Sequence, residues 1–483
     1  MKKLNTFLSD FKHLKCIGSV ERYVADIQID SRNVGKHSLF VAIKGFEVDG
    51  HKFIPTAIKK GASVIVCQDI PRHIPSDVTI LQVENSRKSL ADISSLFYEK
   101  SDEKLIKIGV TGTNGKTSIT YFLKQLADML GKKCGLIGTI EYHNGAEARP
   151  STHTTPESNE LHKLFYEMVQ NKCKLCVMEI SSHALALNRV EGLVVQHAIF
   201  TNLSQDHLDF HADIDDYFNA KKLLFTHHLN GIAHVNADDA YSKKIQTTTC
   251  STFSINAMSD IRILRFKQNA KGSSFTLIYK DVEHAFTTDI LGYFNLYNLL
   301  ACISVCLKLG FTMEEIRVAV TKLKPVKGRM EVVKIENRNV IVDYAHTPDA
   351  LKNILLTCKP LAKKLTCVFG CGGDRDRTKR AEMARAVEAY ADKTIVTSDN
   401  PRTENPMEII QDIKQGFSKD YRYVIEEDRH SAIYFALNHA EEDEIIVIAG
   451  KGHETYQEIN GVKHHFSDQE TVLEWVKNDT RRK

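Results

Sequence analysis

Apolar and polar positions alternate along the chain in three successive blocks of short strands and helices. In the first block, SLFVAI and ASVIVC predict strands, and FIPTAIKKG between them predicts a helix. In the second, strands at LIKIGV, LCVMEIS, HAIFTNL and IAHVN alternate with helices at SITYFLKQLADMLG and DDYFNAKKLLFTHH. The third repeats the pattern with NVIVDYA, LTCVFG, KTIVTSD and EIIVIAG. This alternation predicts an α/β protein with mostly parallel sheets.

Two polar joints divide this pattern into three domains. EKSDEK lies between the first and second blocks, and KLKPVKGRME between the second and third. We therefore expect domains over residues 1–102, 103–326 and 327–483, as a length of 483 residues also suggests. Ligands of open α/β sheets bind at the carboxyl ends of the strands, so the loops that follow them are the places to look for chemistry.

Composition narrows the class of protein. The chain is 42% hydrophobic and 26% charged with a net charge of +3, which gives no electrostatic reason to expect a nucleic-acid partner. No apolar run approaches the ~18 residues of a membrane span, and the amino terminus has no signal-peptide core. Many of the eleven cysteines lie in apolar runs, which favours free thiols in a reducing compartment. We expect a cytoplasmic protein without membrane insertion.

The most specific motif is the glycine turn VTGTNGKTSIT, between a predicted strand and a predicted helix. Gly115-Lys116-Thr117 matches the end of a P-loop, but Val110 stands where that motif has its first glycine. Backbone N–H groups of such a turn attract a polyphosphate, Lys116 would reach the β- and γ-phosphates, and Thr117 would bind Mg²⁺. The turn predicts use of ATP or GTP; a strand–helix turn without a ligand is the alternative. The predicted nucleotide contacts in the turn are Gly112, Thr113, Asn114, Gly115, Lys116, Thr117 and Ser118.

Two polar side chains are predicted to lie near this loop. Glu179 ends the strand LCVMEIS, where a carboxylate can bind Mg²⁺ beside the phosphates. FTNLSQDHLDFH brings His207 to the end of another strand.

A lysine is also predicted to face the protein interior. At 100° per residue, Lys221 falls near the centre of an apolar stripe on the helix DDYFNAKKLLF, with Lys222 at its edge. An inward lysine is unusual, and the alternative is a stem that packs while the ammonium reaches water. The stripe consists of Tyr217, Phe218, Leu224 and Phe225.

Further candidates lie on either side of the second joint. Asn295 and Asn298 lie at a turn that opens a helix, and their amides offer adenine both a donor and an acceptor. Helix capping is the competing interpretation of this pair. Arg329 follows the joint, and Asp343 ends the strand NVIVDYA.

Together these motifs resemble those of the Mur ligases, which form ATP-dependent amide bonds in peptidoglycan precursors; folylpolyglutamate and cyanophycin synthetases have related loops. The resemblance implies a small α/β N-terminal uridine-binding domain, a central P-loop ATPase domain with a mostly parallel sheet, and a C-terminal Rossmann-like α/β domain. It also implies that CO₂ carbamylates Lys221, which with His207 binds a second Mg²⁺. Thr117 and Glu179 would bind the first.

The same resemblance assigns the remaining nucleotide contacts. Asn295 and Asn298 would lie at adenine, Arg329 at phosphate, and Asp343 near the nucleotide or metal. Lys116, Lys221 and His207 would be the catalytic groups. The sequence names no general base for the incoming amine.

The N-terminal motifs resemble the branch of the family that extends UDP-N-acetylmuramoyl-L-alanyl-D-glutamate. DSRNVGKHSLFVAIKGFEVDGH is similar to its uridine-binding domain, with Ser31 and Arg32 at the nucleotide. STHTTPES supplies Thr154 and Thr155 of its T-T-P element, which contacts the muramoyl peptide. Two further residues, Ser181 and Arg189, match substrate contacts, and a guanidinium can hold a phosphate or carboxylate in a fork.

TSDNPRTENP resembles the D-N-P-R motif of the enzymes that add meso-diaminopimelate. Arg402 would bind the distal carboxylate and Glu454 the distal ammonium. L-Lysine lacks that carboxylate, so an unpaired Arg402 would disfavour it. Ala381 and Asn405 depart from the usual pattern and leave room for a paralogue. The other implied contacts with the amino acid are Arg375, Asp399, Asn400, Pro401 and Gly450.

The resemblance therefore implies a monomeric ligase that joins meso-diaminopimelate to the D-Glu of UDP-muramoyl dipeptide through an acyl phosphate. Its cofactors would be ATP, two Mg²⁺ ions and the carbamate. One alternative is a ligase of the same family that adds L-lysine or another amine, including one in a side pathway. A nucleotide-binding scaffold without turnover is another. A folate-type ligase is disfavoured because it would leave the uridine-like N-terminal block without a role.

Overall fold

The computed structural model describes residues 1–45, 48–269, 272–335 and 338–480, and in them the chain forms three main sheets and two short strand pairs. The strands are β1 (Lys2–Lys3), β2 (Lys15–Ile17), β3 (Tyr23–Val24), β4 (Asp26–Gln28), β5 (Ser38–Val41), β6 (Val64–Cys67), β7 (Thr79–Gln82), β8 (Ile106–Thr111), β9 (Cys134–Ile137), β10 (Glu141–His143), β11 (Ala148–Pro150), β12 (Leu175–Glu179), β13 (Val195–Phe200), β14 (Leu229–Asn236), β15 (Cys250–Ser254), β16 (Ile261–Asn269), β17 (Gly272–Tyr279), β18 (Val282–Thr288), β19 (Glu331–Ile335), β20 (Arg338–Asp343), β21 (Lys364–Phe369), β22 (Lys393–Val396), β23 (Val424–Ile425), β24 (Glu444–Ala449), β25 (Tyr456–Ile459) and β26 (Val462–His465). The helices are α1 (Asn5–Leu8), α2 (Ile54–Lys59), α3 (Ser86–Phe97), α4 (Lys116–Met129), α5 (Ser158–Gln170), α6 (Ser182–Ala186), α7 (Ile214–Thr226), α8 (Tyr293–Lys308), α9 (Met313–Val320), α10 (Pro348–Cys358), α11 (Thr378–Glu388), α12 (Pro406–Lys414), α13 (Arg429–Asn438) and α14 (Asp468–Thr480).

The first sheet has five strands in the order β2-β7-β6-β5-β4. All neighbours are parallel except β2 and β7. The two strands and the helix predicted for this block correspond to β5, β6 and α2. Strands β5 and β6 are buried throughout, as their continuous apolar runs predict.

The central sheet has eleven strands in the order β11-β10-β9-β12-β8-β13-β14-β15-β16-β17-β18. Its seven middle strands, from β9 to β16, are parallel, while β10, β11, β17 and β18 extend the two edges antiparallel. The predicted parallel core is confirmed. Helix α4 lies against this sheet through an apolar stripe of at most 2% exposure, which consists of Ile119, Phe122, Leu123 and Leu126. The helix begins at Lys116, directly after Gly115 of the glycine turn.

The third sheet has six strands in the order β19-β20-β24-β21-β22-β23, parallel except for β19. Apolar clusters cover both of its faces, so β20, β21 and β24 are buried on two sides. Asp343 is the last residue of β20, and the carboxyl ends of β22 and β24 lead into the loops that carry Arg402 and Glu454.

Two further features concern the cysteines and the helices. Cys173 and Cys176 have the C-x-x-C spacing of redox and metal sites, which was not considered when the cysteines were predicted to be free thiols. Both are nevertheless buried free thiols. Burial raises the pKa of each thiol, which disfavours a reactive thiolate. Among the described residues, no helix has both the length and the apolar character to cross a bilayer.

Candidate active site

The glycine turn between β8 and α4 packs tightly against neighbouring elements. Gly112 and Gly115 have φ values of 140° and 90°. A Cβ at Gly112 would lie 1.9 Å from Thr201 Oγ1, and one at Gly115 would lie 2.5 Å from Asn298 Oδ1. Both positions therefore require glycine, and the turn is fixed between the end of β13 and α8. Lys116 Nζ donates to the carbonyls of Gly112 at 3.0 Å and its neighbour Thr113 at 2.8 Å.

Glu179 is the centre of a buried hydrogen-bond network at the end of β12. Its Oε2 accepts from Thr117 Oγ1 at 3.0 Å and from Thr139 Oγ1 at 3.1 Å, and its Oε1 accepts from the Thr139 N–H at 2.8 Å. Thr139 Oγ1 also lies 3.0 Å from Thr154 Oγ1, and Thr155 Oγ1 donates to the Glu179 carbonyl at 2.8 Å. The network places the T-T-P element beside the phosphate loop. Thr139 was not predicted, because nothing in its local sequence indicates this contact.

Lys221 lies inside the protein. It is 1% exposed, its Nζ donates to Gly112 O at 2.9 Å, and this Nζ lies 4.2 Å from the centre of the Tyr217 ring. The alternative of an ammonium that reaches water is therefore wrong. Burial, with the nearby charge of Lys116, lowers the pKa of Lys221 well below its usual range. Burial therefore favours the neutral amine, which is the form able to attack CO₂.

His207 lies beside this helix, in a loop rather than at the end of a strand, since β13 ends seven residues earlier at Phe200. Its ring centre is 5.9 Å from that of Tyr217 and 4.9 Å from that of His183. Burial lowers the pKa of His207 and lowers that of His183 to about 4, which favours neutral rings near pH 7. Neutral imidazole is the form that binds metals.

The side chains near the phosphate loop supply only some of the ligands that a Mg²⁺ ion needs. No group of three or more His, Cys, Asp or Glu residues in the described ranges is arranged to hold an ion. Thr117 and Glu179 nevertheless place a hydroxyl and a carboxylate 3.0 Å apart. Both are hard oxygen donors, and Mg²⁺ is often bound by one or two carboxylates plus substrate phosphates and water. The residues therefore fit a phosphate-bound Mg²⁺ rather than an ion held by protein alone.

A cavity of about 360 Å³ lies beside the phosphate loop and opens toward the third sheet. The predicted nucleotide residues that line it are Asn114, Gly115, Ser118, Asn298, Arg329 and Asp343. Lining residues that the sequence did not single out include Asn202, Tyr297, Tyr344, His346 and Asp349. They come from three separate stretches of the chain, around residues 202, 297 and 344–349, so no single motif reveals them.

Asn295 and Asn298 lie within α8, not at a turn before it. The helix is preceded by Gly292, which has no side-chain cap, so the capping interpretation is wrong. Asn298 Nδ2 donates to Asn295 Oδ1 at 2.7 Å, and Asn295 Nδ2 donates to Leu291 O at 2.7 Å. Asn298 reaches the cavity and Asn295 supports it from a smaller adjoining cleft.

The third block contacts the phosphate loop directly. Arg329 Nη2 donates to Thr117 Oγ1 at 3.1 Å, and its guanidinium carbon lies 4.5 Å from the centre of the Tyr344 ring. Asn114 Nδ2 donates to Asp349 Oδ2 at 3.2 Å.

Asp343 supports this contact from the end of β20. Its carboxylate accepts from the N–H groups of Met330 at 2.6 Å and Ala345 at 2.7 Å. Burial raises the pKa of Asp343, although the charge of Arg329 opposes the shift. The carboxylate thereby fixes the backbone next to Arg329.

The predicted contacts with the UDP substrate fall into two groups. Ser31 is buried, whereas the side chain of Arg32 is 87% exposed and pairs with Asp30 at 2.7 Å. Arg189 Nη1 donates to Thr155 O at 3.1 Å, and its Nε lies 3.0 Å from Glu157.

Ser181 accepts from the Ala184 N–H at 3.2 Å and caps α6. Its own N–H donates to Thr155 Oγ1 at 3.1 Å. Ser181 and Arg189 thus adjoin the T-T-P element, while Arg32 lies on the surface of the first block.

The predicted amino-acid site lies where two loops of the third sheet meet. Arg402 has φ 51°, its Nη1 donates to Gly373 O at 2.6 Å, and its Nε lies 3.7 Å from Glu458 Oε2. Glu454 Oε2 accepts from Asn400 Nδ2 at 2.9 Å. The carboxylate also pairs with the unpredicted Lys451.

Four other predicted residues shape this region. Asp399 Oδ1 accepts from the Asn400 N–H at 2.6 Å, and a Cβ at Gly450 would lie 2.4 Å from Asp399 Oδ2. The Pro401 carbonyl accepts from the Glu404 N–H at 3.0 Å. Arg375 Nη1 lies 3.5 Å from Asp209 of the central block. Arg375 is therefore placed at the boundary with the central sheet.

Comparison with known proteins identifies the family. Residues 24–98 match the model of the Mur ligase family catalytic domain, residues 110–306 that of the Mur ligase middle domain, and residues 328–452 that of the Mur ligase glutamate ligase domain. Three similar relatives are each named UDP-N-acetylmuramoyl-L-alanyl-D-glutamate--2,6-diaminopimelate ligase; that of Clostridium acetobutylicum is numbered 1. The Clostridium acetobutylicum enzyme is 42% identical and that of Clostridium tetani 43%, each across 98% of this chain and 99% of the relative. The Aquifex aeolicus enzyme is 43% identical across 94% of both chains.

Solved structures agree with these sequence matches. A structure of a UDP-N-acetylmuramoyl-L-alanyl-D-glutamate--2,6-diaminopimelate ligase superposes with a TM-score of 0.68 at 31% identity, covering 98% of this chain and 99% of that one. The MurF ligase from Thermotoga maritima in complex with ADP has a TM-score of 0.69 at 18% identity, covering 95% and 99%, and shares the fold. The chain therefore belongs to the Mur ligase family.

Proposed function

We propose that this protein joins meso-diaminopimelate to the D-Glu carboxylate of UDP-N-acetylmuramoyl-L-alanyl-D-glutamate at the expense of ATP, in cytoplasmic synthesis of peptidoglycan precursors. Residues 1–102 would bind the uridine end of the substrate, residues 103–326 ATP, and residues 327–483 the amino acid. The names of the full-length relatives support the reaction. The charges at Arg402 and Glu454 support the choice of amino acid.

One observation carries the proposal: a continuous hydrogen-bond chain joins the nucleotide and acceptor regions. It runs from Arg329 through Thr117 to Glu179, and from there through Thr139 to Thr154. A γ-phosphate over the loop and a carboxylate held by the T-T-P element would therefore lie side by side. That arrangement supplies the proximity that phosphoryl transfer to a carboxylate needs.

The residues of this chain have separate roles in that reaction. Lys116 and Arg329 would offset the repulsion between the phosphates and the D-Glu carboxylate, which must approach each other to form an acyl phosphate and ADP. The neutral amine of the diamino acid then attacks the acyl carbon, the C–O bond to phosphate breaks, and the nitrogen gives up a proton as the amide forms. Arg402 would hold the distal carboxylate and Glu454 the distal ammonium, which aims the other amine at the reaction.

Two Mg²⁺ ions would neutralise charge on the phosphates when bound. Thr117 and Glu179 would contact the first ion, and His207 and a carbamate on Lys221 the second. The buried amine of Lys221 supports carbamylation, because burial favours its neutral form and CO₂ converts that amine into an anion.

Phosphate release tests the reaction. We expect release from ATP only when UDP-muramoyl dipeptide and meso-diaminopimelate are both present, with a product whose mass is the sum of the two substrates less one water. ATP hydrolysis that is indifferent to both substrates would contradict the ligase and favour a nucleotide-binding scaffold.

A further inference from the structure

Lys451 is a buried lysine that neither the phosphate chemistry nor the predicted site uses. Its side chain is 0% exposed, although it carries a charge that is costly to bury alone. Its Nζ donates to Glu454 Oε2 at 2.8 Å and to Asn400 Oδ1 at 2.9 Å. Asn400 Nδ2 donates in turn to the same Glu454 oxygen at 2.9 Å. The three side chains form a closed triangle across two loops.

The triangle fixes the orientation of both its partners. Asn400 Oδ1 accepts from Lys451 and also from the Glu458 N–H at 3.0 Å, so the amide must direct its Nδ2 toward Glu454. Since Lys451 and Asn400 share Oε2 of Glu454, the carboxylate is held by one oxygen. Its Oε1 has no donor in the described part of the chain and remains for an ammonium.

The same contacts extend to the loop that carries Arg402. Asn400 lies two residues before Arg402, and its carbonyl accepts from the Gly373 N–H at 2.9 Å. Arg402 Nη1 donates to the carbonyl of that same glycine at 2.6 Å. Lys451 thus fixes the relative position of the two groups that would bind the distal end of the diamino acid.

We propose that Lys451 is a positioning residue for amino-acid selection: its ammonium holds Glu454 as an oriented carboxylate and aligns it with the Arg402 loop. The inference rests on the proposed function of this site and extends it to a residue that need not touch the substrate. Lys451 stabilises the negative charge of Glu454 so that the carboxylate can bind the positive end of the substrate.

The electrostatics of the site agree with this role. Burial raises the pKa of Glu454, the charge of Asp399 raises it further, and Lys451 lowers it. Without Lys451 the carboxyl would take up a proton at a higher pH and lose its attraction for an ammonium. The charged or titratable groups that interact with Glu454 are Lys451, Asp399, Arg429, Tyr344 and Tyr456.

The test is the pH dependence of KM for meso-diaminopimelate in Lys451→Met. We expect KM at pH 7 to rise about tenfold while KM for ATP stays within about twofold. The pH below which KM begins to rise should move up by about one unit or more, because Glu454 is ionised only above its raised pKa. A folded Lys451→Met enzyme with the wild-type pH dependence would overturn the inference.

Lys393→Met is the matched control in the same sheet. Lys393 also pairs with a buried carboxylate, that of Glu444 at 3.2 Å, but it lies at the start of β22. This variant should keep the wild-type pH dependence of KM. An equal shift in Lys393→Met would show that any lost ion pair in this domain has the effect, and would overturn a specific role for Lys451.

A second variant covers the case in which Lys451→Met does not fold. Lys451→Met/Glu454→Gln removes both charges together, so no buried charge is left unpaired. Because Lys451 acts mainly through Glu454, KM of the double variant should exceed that of Glu454→Gln alone by no more than about threefold, the part that the contact with Asn400 contributes. A further tenfold rise would contradict the inference. Failure of the proposed function is distinct, since the wild-type enzyme would then not use meso-diaminopimelate at all.

Discussion

Arg329 and Thr117, which are 212 positions apart in the chain, are joined by a 3.1 Å hydrogen bond from Nη2 to Oγ1. The bond connects the third block to the first turn of α4, where the phosphates of ATP would lie. Thr117 Oγ1 in turn donates a hydrogen bond to Glu179 Oε2 at 3.0 Å. The contact between the third block and the central block and the proposed phosphate site thus share one residue pair.

Arg329→Ala should weaken nucleotide use. We expect kcat/KM for ATP to fall about 100-fold, because a charge-assisted contact of roughly 1.5–3 kcal/mol is lost at the phosphates. Steady-state kinetics with varied ATP would measure this. Arg317→Ala is the control, since Arg317 is on α9 and pairs only with the exposed Glu314 among described residues. Unchanged ATP kinetics in Arg329→Ala would contradict the role.

The parts of this site that follow local patterns could be predicted from the sequence. Helical spacing placed Lys221 inward, and it is 1% exposed. Strand ends placed Glu179 and Asp343 correctly, because the carboxyl ends of parallel strands gather at one edge. The glycines of the phosphate loop followed from its motif.

The remainder depends on contacts between distant stretches. Thr139 reaches Glu179 across 40 positions, and Lys451 reaches Asn400 across 51. Neither residue lies in a pattern that indicates its partner. The antiparallel strands β17 and β18 were not predicted either. They extend the parallel sheet without helices between them, so the strand–helix alternation does not indicate them.

Lys221→Ala should abolish most activity, whereas Lys222→Ala should retain it. The two lysines are adjacent on α7, but Lys221 is buried against Gly112 O and Lys222 is only half-buried. We expect kcat of Lys221→Ala to fall by about 100-fold or more, through loss of a charged group at the phosphates. In isotopically labelled bicarbonate, a carbamate resonance should appear in wild type and Lys222→Ala. A resonance of equal strength in Lys221→Ala would exclude Lys221 as its origin.

Arg402→Ala should lose selectivity for meso-diaminopimelate but keep the ability to form the amide bond. KM for meso-diaminopimelate is expected to rise about 100-fold, since a fork to a carboxylate contributes roughly 2–3 kcal/mol. Activity with L-lysine should not fall, because L-lysine offers the fork no carboxylate. The exposed Arg422 supplies a control, Arg422→Ala. Undiminished use of meso-diaminopimelate by Arg402→Ala would overturn the specificity argument.

The central sheet should lose stability in mild acid through a buried histidine pair. His197 Nδ1 lies 3.0 Å from His234 Nε2, and His234 Nδ1 lies 2.7 Å from Ser304 Oγ. Burial lowers the pKa of His197 from 6.5 to about 4, and that of His234 well below its usual value. The unfolded chain therefore binds more protons below pH 6.5, and His197 alone removes roughly 3 kcal/mol by pH 4.

The predicted loss of stability in acid is tested by measuring the thermal unfolding midpoint from pH 7.5 down to pH 4. His197→Asn keeps a polar atom near the Nδ1 position but does not titrate, so its midpoint should fall less steeply with acid. His464→Asn, on the exposed strand β26, should follow wild type. A wild-type slope in His197→Asn would exclude the buried pair as the cause.

The most direct test of the whole account is a competition between amino acids. Wild-type enzyme would be incubated with ATP, UDP-N-acetylmuramoyl-L-alanyl-D-glutamate and equal concentrations of meso-diaminopimelate and L-lysine. The mass of the product would be determined by mass spectrometry. The arrangement of Arg402, Glu454 and Lys451 predicts a product that contains diaminopimelate almost exclusively. A product containing mainly L-lysine, or no joined product at all, would contradict it.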